Sequence, residues 1–149
     1  MATIHLPPDF KEFFRYLNSH KVEYLLVGGY AVGYYGFPRA TMDIDVWIAK
    51  TPANALRMVS ALEDFGFGGE TLSEDLFLQG EKIIRMGLPP MRIEVLTSIS
   101  GVDFDDAYSK RVNDQLDGVD VSLISLEDLK TYKAAAGRHK DLTDLEQLP

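Results

Sequence analysis

The chain has 149 residues, with 15 basic and 23 acidic side chains, a net charge of -8, 46% hydrophobic and 26% charged residues. That is the make-up of one soluble globular domain, 1–149, large enough to bury a core; its acidity weighs against an extended nucleic-acid contact. It has no cysteine, which excludes disulfides, thiolate zinc and a Cys nucleophile. The three histidines, His5, His20 and His139, lie far apart in sequence, so any metal falls to carboxylates, the ligands of Mg²⁺ or Mn²⁺. No apolar run approaches the roughly 20 residues that cross a bilayer, so no membrane contact is expected. No basic stretch followed by an apolar one reads as a secretion signal, and the cytoplasm is the expected location.

Asp9 to His20 reads as an amphipathic helix, with Phe10, Phe13, Phe14 and Leu17 at helical spacing. Tyr24 to Val27 is a short apolar strand that breaks at Gly28-Gly29, and Tyr30 to Tyr35 reads as a short helix ending near Gly36 and Pro38. Asp43 to Ile48 has strand periodicity, with the two acids on one face. Pro52 opens a helix to Phe65, with Ala55, Met58, Val59 and Leu62 as its apolar face and Gly66 as its stop. Glu81 to Met86 and Met91 to Leu96 read as a hairpin around Gly87-Leu88-Pro89-Pro90.

Phe104 to Tyr108 is a short helix, and Arg111 to Gln115 and Val119 to Leu123 pair around Asp117-Gly118. Ser125 to Ala136 is a helix with a capping-box opening, Ser125-Leu126-Glu127-Asp128, and Asp141 to Leu148 is a last helix or its continuation. The order predicts an α/β or α+β fold: a mixed β-sheet flanked by helices, a core over about 22–124 and a C-terminal helical segment over about 125–148.

Two acids at i and i+2 of a strand project from one face, roughly 7 Å apart at the backbone, and can converge on a divalent cation. Glu94, flanked by Ile93 and Val95, offers a third carboxylate. Three carboxylates tolerate their mutual repulsion when cations neutralise them, and such a site can activate a hydroxyl and stabilise a leaving pyrophosphate. The plain alternative is a solvated sheet face, the normal antiparallel pattern. Gly28-Gly29 lets backbone N–H groups approach a phosphate, or is a tight turn. Tyr30, Tyr34, Tyr35 and Phe37 read as core before base-stacking surface, and Trp47, counted by twos, shares the face of the acids. Lys130, Lys133, Arg138 and Lys140 meet a triphosphate, pair with the site's carboxylates, or complement a helix C-terminus.

Val27-Gly28-Gly29, then Asp43-Ile44-Asp45, then Ile93-Glu94-Val95, in that order, resembles the nucleotidyltransferase fold superfamily, the DNA polymerase β-like group. The third acid is commonly Asp there, and Glu94 is a departure. Arg39-Ala40-Thr41 before the first acid, and Lys133-x4-Arg138-x-Lys140-Asp141-x2-Asp144-Leu145, look like the signatures of its small bacterial members. Those members include relatives of aminoglycoside nucleotidyltransferases and the nucleotidyltransferases of toxin–antitoxin modules. The likeness covers residues 22 to 148.

It implies Asp43, Asp45 and Glu94 as catalytic metal ligands, and Gly28, Gly29, Arg39, Thr41, Lys133, Arg138 and Lys140 as nucleotide-binding. The expected function is Mg²⁺- or Mn²⁺-dependent transfer of a nucleoside monophosphate from an NTP, ATP foremost, to an acceptor hydroxyl the sequence leaves open. A homodimer or a cognate partner protein would complete the cleft. The alternative is a catalytically degenerate nucleotide- or partner-binding module, such as a toxin–antitoxin component.

Overall fold

Every side chain of the first strand, β1 (Tyr24–Val27), is buried, because helices cover both faces of the sheet it runs through. The structure, a computed structural model, describes residues 4–37, 43–87 and 92–149. Among them the helices are α1 (Pro8–Ser19), α2 (Gly28–Tyr34), α3 (Pro52–Phe65), α4 (Glu74–Leu78), α5 (Phe104–Ser109), α6 (Leu126–Ala136) and α7 (His139–Gln147). The other strands are β2 (Asp43–Ile48), β3 (Ile83–Met86), β4 (Arg92–Leu96), β5 (Val112–Leu116) and β6 (Val119–Leu123). They form one mixed sheet in the order β3-β4-β2-β1-β6-β5. The β1–β2, β3–β4 and β5–β6 pairs are antiparallel, whereas β2–β4 and β1–β6 are parallel. The fold is the expected α/β arrangement.

Strand alternation sorts the core into two layers. On one side Tyr24, Leu26, Ile44, Val46, Ile93 and Val95 meet α1, α3 and Phe77 of α4. The buried Phe10, Phe13, Phe14 and Leu17 of α1 each stabilise this layer by about 1.5–3 kcal/mol. On the other side Leu25, Val27, Trp47 and Leu96 meet α2, α5 and α6. Asp43 and Asp45 share this second face with Trp47, and Glu94 shares it with Leu96, so the acids stand at the end of a packed face and not on a solvated one.

Local chemistry explains the element ends. Thr51 caps α3 by accepting a hydrogen bond from the Asn54 N–H, and Gly66 ends the helix in the left-handed conformation, φ 108°. Asp117 and Gly118 both have positive φ, 51° and 83°, as the two-residue turn between β5 and β6 requires.

Three expectations change. Gly28 and Gly29 form the first turn of α2 instead of preceding it. The five residues of α4, too few to show helical periodicity, are anchored by buried Phe77. Gly137, φ 64°, separates α6 from α7, so the last segment is a helix of its own and not a continuation of α6. The expected turn at Gly87-Leu88-Pro89-Pro90 runs outside the described residues after Gly87.

Candidate active site

Strand register assembles the site. In the parallel β2–β4 pair, Asp43 lies opposite Arg92 and Asp45 opposite Glu94. On the far side of β2, Asp45 lies opposite Val27, the last residue before the glycines. On the far side of β4, Glu94 lies opposite Arg85. A single row across four strands therefore runs Arg85, Glu94, Asp45, Val27. Gly28 turns over its end with φ 74°, and a β-carbon there would collide with Asp45 Oδ2. Glycine is required twice at this position, for its dihedral and for its lack of a side chain.

A cleft of about 290 Å³ opens over this row. It is lined by Gly28, Gly29, Asp43, Asp45, Glu94, Lys133, Arg138 and Lys140, bringing together every described residue that the sequence pattern singles out. Arg39 and Thr41 lie outside the described residues. Five further lining residues were not anticipated: Ile83, Arg85, Arg92, Leu96 and Tyr132. Arg92 was visible as the same-face neighbour of Glu94, two residues away on a strand, whereas the pairing of β4 with β2 depends on the tertiary fold.

The carboxylates are held differently. Arg92 Nη2 donates to Asp43 Oδ2 at 2.9 Å, and Arg85 Nε donates to Glu94 Oε1 at 3.0 Å. Arg92 Nε also lies 3.7 Å from Glu94 Oε1. Asp45 Oδ1 is buried with no hydrogen-bond partner among the described residues. Burial, together with the neighbouring carboxylates of Glu94 and Asp43, pushes the Asp45 pKa up from 3.8 to about 7, partly offset by the charge of Lys140. Among the described residues no three acids or histidines form a ready metal-binding group.

Behind the cleft lies a second ionic cluster. Lys133, 2% exposed, places its ammonium 3.1 Å from Asp141 Oδ1 and 3.2 Å from Asp144 Oδ2, and both acids are fully buried. Arg138 Nε donates to Asp141 Oδ2 at 2.6 Å. Burial opposes ionisation of Asp141, but the hydrogen bonds and charges of Arg138 and Lys133 hold its pKa below the usual carboxylate range. Asp141 also accepts from the Arg138 backbone N–H at 3.2 Å, capping α7. Lys133 thus locks α7 onto α6, with its charge already matched, while Lys140 from the same segment faces the Asp45 cleft.

Trp47, Tyr34 and Tyr35 are held by contacts within the fold. Trp47 packs edge-on against Phe104, ring centroids 5.0 Å apart, in the second core layer. Tyr34 donates to Asp114 Oδ2 and Tyr35 to the Ile124 carbonyl, each at 2.6 Å.

Solved structures share this fold at low sequence identity. TM1012 of Thermotoga maritima, assigned as a nucleotidyltransferase, aligns over 97% of this chain and 94% of its own, with 15% identity and a TM-score of 0.62. The lincosamide antibiotic adenylyltransferase LnuA in its lincomycin-bound form aligns over 97% and 96%, with 15% identity and a TM-score of 0.55. An antigenic nucleotidyltransferase-like protein of Paracoccidioides brasiliensis covers 91% of this chain and 70% of its own, with 21% identity and a TM-score of 0.54. No curated protein matches in sequence. Residues 8–148 match the family described as nucleotidyltransferase of unknown function (DUF6036), and the chain belongs to that family of nucleotidyltransferase enzymes.

Proposed function

We propose that the enzyme transfers a nucleoside monophosphate from an NTP, ATP foremost, to an acceptor hydroxyl, with a divalent cation held by Asp43, Asp45 and Glu94. One observation carries the reading: half-buried Asp45 stands beside Glu94 across parallel strands, with its buried Oδ1 lacking a hydrogen-bond partner among the described residues and Gly28 folded against Oδ2. An all-oxygen donor set with an unsatisfied buried oxygen fits a hard cation such as Mg²⁺ or Mn²⁺. Once bound, the cation supplies charge neutralisation for the phosphates and the developing pyrophosphate.

The chain's own groups do the rest. The backbone at Gly28 and Gly29 borders the cleft without side chains, leaving room for phosphate oxygens. Lys140 and Arg138 add positive charge to the lining of the same cleft. The acceptor oxygen attacks the α-phosphorus and forms the new P–O bond. The bond from that phosphorus to the bridging oxygen breaks, and pyrophosphate leaves with the electron pair. In this reading Glu94 helps hold the cation or takes the acceptor's proton. Arg85 and Arg92, paired with Glu94 and Asp43, add positive charge at the edge of the same cleft. Holding the groups in place and matching the charge supply the rate.

Calorimetry of ATP with Mg²⁺ tests this: the wild type binds, and Asp45→Asn loses the metal-dependent part. Unchanged binding in that variant would refute the assignment.

A second reading rests on Arg92 and Arg85, which already occupy Asp43 and Glu94. They suit a module that binds nucleotide or a partner without turnover, as a toxin–antitoxin component could. Pyrophosphate release with Mg²⁺, ATP and any hydroxyl acceptor decides against it.

A further inference from the structure

A second cavity, about 480 Å³, adjoins the cleft and shares Ile83, Leu96, Tyr132 and Arg138 with it. Its position follows from the register. Leu96 succeeds Glu94 by two residues on the same face of β4, about 7 Å along the strand. Ile83 lies opposite Leu96 just as Arg85 lies opposite Glu94. A molecule seated here reaches past Leu96 to the carboxylate of Glu94.

The outer wall is the Ser98–Gly101 turn, closed by a bridge between Ile99 and Val102. Gly101, φ 78°, sits so close to α6 that a β-carbon would lie 2.6 Å from Ala135 Cβ. The turn is therefore seated directly on the helix that carries Tyr132 and Lys133.

The lining has a definite chemistry. Ile83, 48% exposed, Ile99 and the Tyr132 ring offer apolar contact, and Ser98 and Ser100 offer hydroxyls. Two charges border the space. Arg138 is committed to Asp141 through two side-chain hydrogen bonds, 2.6 and 3.2 Å. Glu81 makes no ion pair among the described residues, so the cavity presents a net negative edge.

We propose that this cavity is the acceptor subsite, and that its acceptor is a small hydroxylated compound with one apolar face, neutral or singly cationic. This rests on the nucleotidyl-transfer reading of the adjoining cleft. A polyanionic acceptor, such as an RNA 3′ end, meets the wrong charge at Glu81 and no uncommitted cation in this cavity among the described residues. A volume near 480 Å³ suits a small molecule that stacks its apolar face and hydrogen-bonds its hydroxyls.

The test uses the full chain, ¹⁵N-labelled, with three probes added separately: phenyl β-D-glucoside, its 6-phosphate, and ATP with Mg²⁺. The neutral glucoside is expected to shift the amides of Ser98, Ile99 and Ser100, and the 6-phosphate to bind about tenfold more weakly. Ser100→Trp, at an exposed position, fills the space and weakens the glucoside about tenfold while ATP–Mg²⁺ binding persists. Glu81→Lys strengthens the 6-phosphate and provides a second variant should the tryptophan disturb the turn. The subsite is overturned if the glucoside shifts none of these amides, if the 6-phosphate binds as well as the neutral compound, or if neither variant changes binding. ATP–Mg²⁺ shifts at Gly28 and Gly29 report separately on the nucleotide cleft. Their absence refutes the transfer reading, whereas ATP binding without glucoside binding refutes the subsite alone.

Discussion

Two clusters of acids meet at the same cleft and are neutralised in opposite ways. Asp141 and Asp144 are fully buried; Lys133 meets both inside the fold, and Arg138 reaches Asp141 from the surface. At the edge of the cleft Asp43 meets Arg92 and Glu94 meets Arg85, and Asp45 Oδ1 has no hydrogen-bond partner among the described residues. A charge set that closes on itself holds a structure together, whereas one left open can accept something from outside. The physical difference is where the countercharge comes from, since both clusters sit where desolvation is costly.

The largest expected effect falls on the closed cluster. Lys133→Met leaves two buried carboxylates without their shared ammonium and should cost about 3–5 kcal/mol in urea unfolding. A loss below about 1 kcal/mol would show that the cluster is not closed.

Next comes the open cluster, where the loss should appear in catalysis. Asp45→Asn should lower pyrophosphate release by on the order of 10²- to 10³-fold. Without metal the same variant should be at least as stable as wild type above pH 7, because the ionised carboxylate it removes is disfavoured there. A clearly destabilised Asp45→Asn would place Asp45 with the structural ions and erase the comparison.

Acid–base titration sharpens it further. Asp45 holds its proton more tightly folded than unfolded, about 7 against 3.8, so its contribution to stability is full below pH 3.8 and lost as the pH rises through about 7. Asp141 is held low, so its contribution is present above 3.8 and lost as the pH falls through its folded value. Thermal melts in EDTA should show Asp141→Asn removing part of the acid-side loss and Asp45→Asn removing part of the neutral-side loss. Mg²⁺ should restore stability on the neutral side only.

Gly28→Ala should cost about 1–2 kcal/mol for the left-handed backbone, and more from the collision with Asp45, with weakened ATP binding in calorimetry. The smallest effect belongs to a site away from both clusters. Ser125 accepts from the Asp128 N–H at 3.1 Å, and Ser125→Ala should cost about 1 kcal/mol in unfolding with ATP binding unchanged.

Much of the fold was legible because local signals agreed. The apolar spacing of Phe10, Phe13, Phe14 and Leu17, the Pro52 to Gly66 punctuation and the Asp117-Gly118 turn each mark an element whose observed bounds match to within about two residues. The short α4 escaped notice because five residues show no period, and the start of α2 because glycine reads as a breaker until a neighbouring carboxylate demands it. The candidate site was legible in part: the ordered Gly28-Gly29, Asp43-x-Asp45 and Glu94 motifs named residues that line the cleft, and did not name Arg85, Arg92 or Tyr132. Lys133 was named too, for a triphosphate, the site's carboxylates or a helix C-terminus, and its burial between Asp141 and Asp144 was not read.

By itself the sequence determined which chemistry is available: oxygen ligands without thiols, acids on one strand face, and a cation-rich C-terminal segment. Periodicity is a property of the local backbone, so it can be read without a fold. Tertiary structure alone decided that Asp45 faces Glu94, that Arg85 and Arg92 guard the open acids, and that Lys133 is sealed inside. Pairing of distant strands and the burial of a charge depend on what the rest of the chain places beside them, and no local pattern encodes that neighbour.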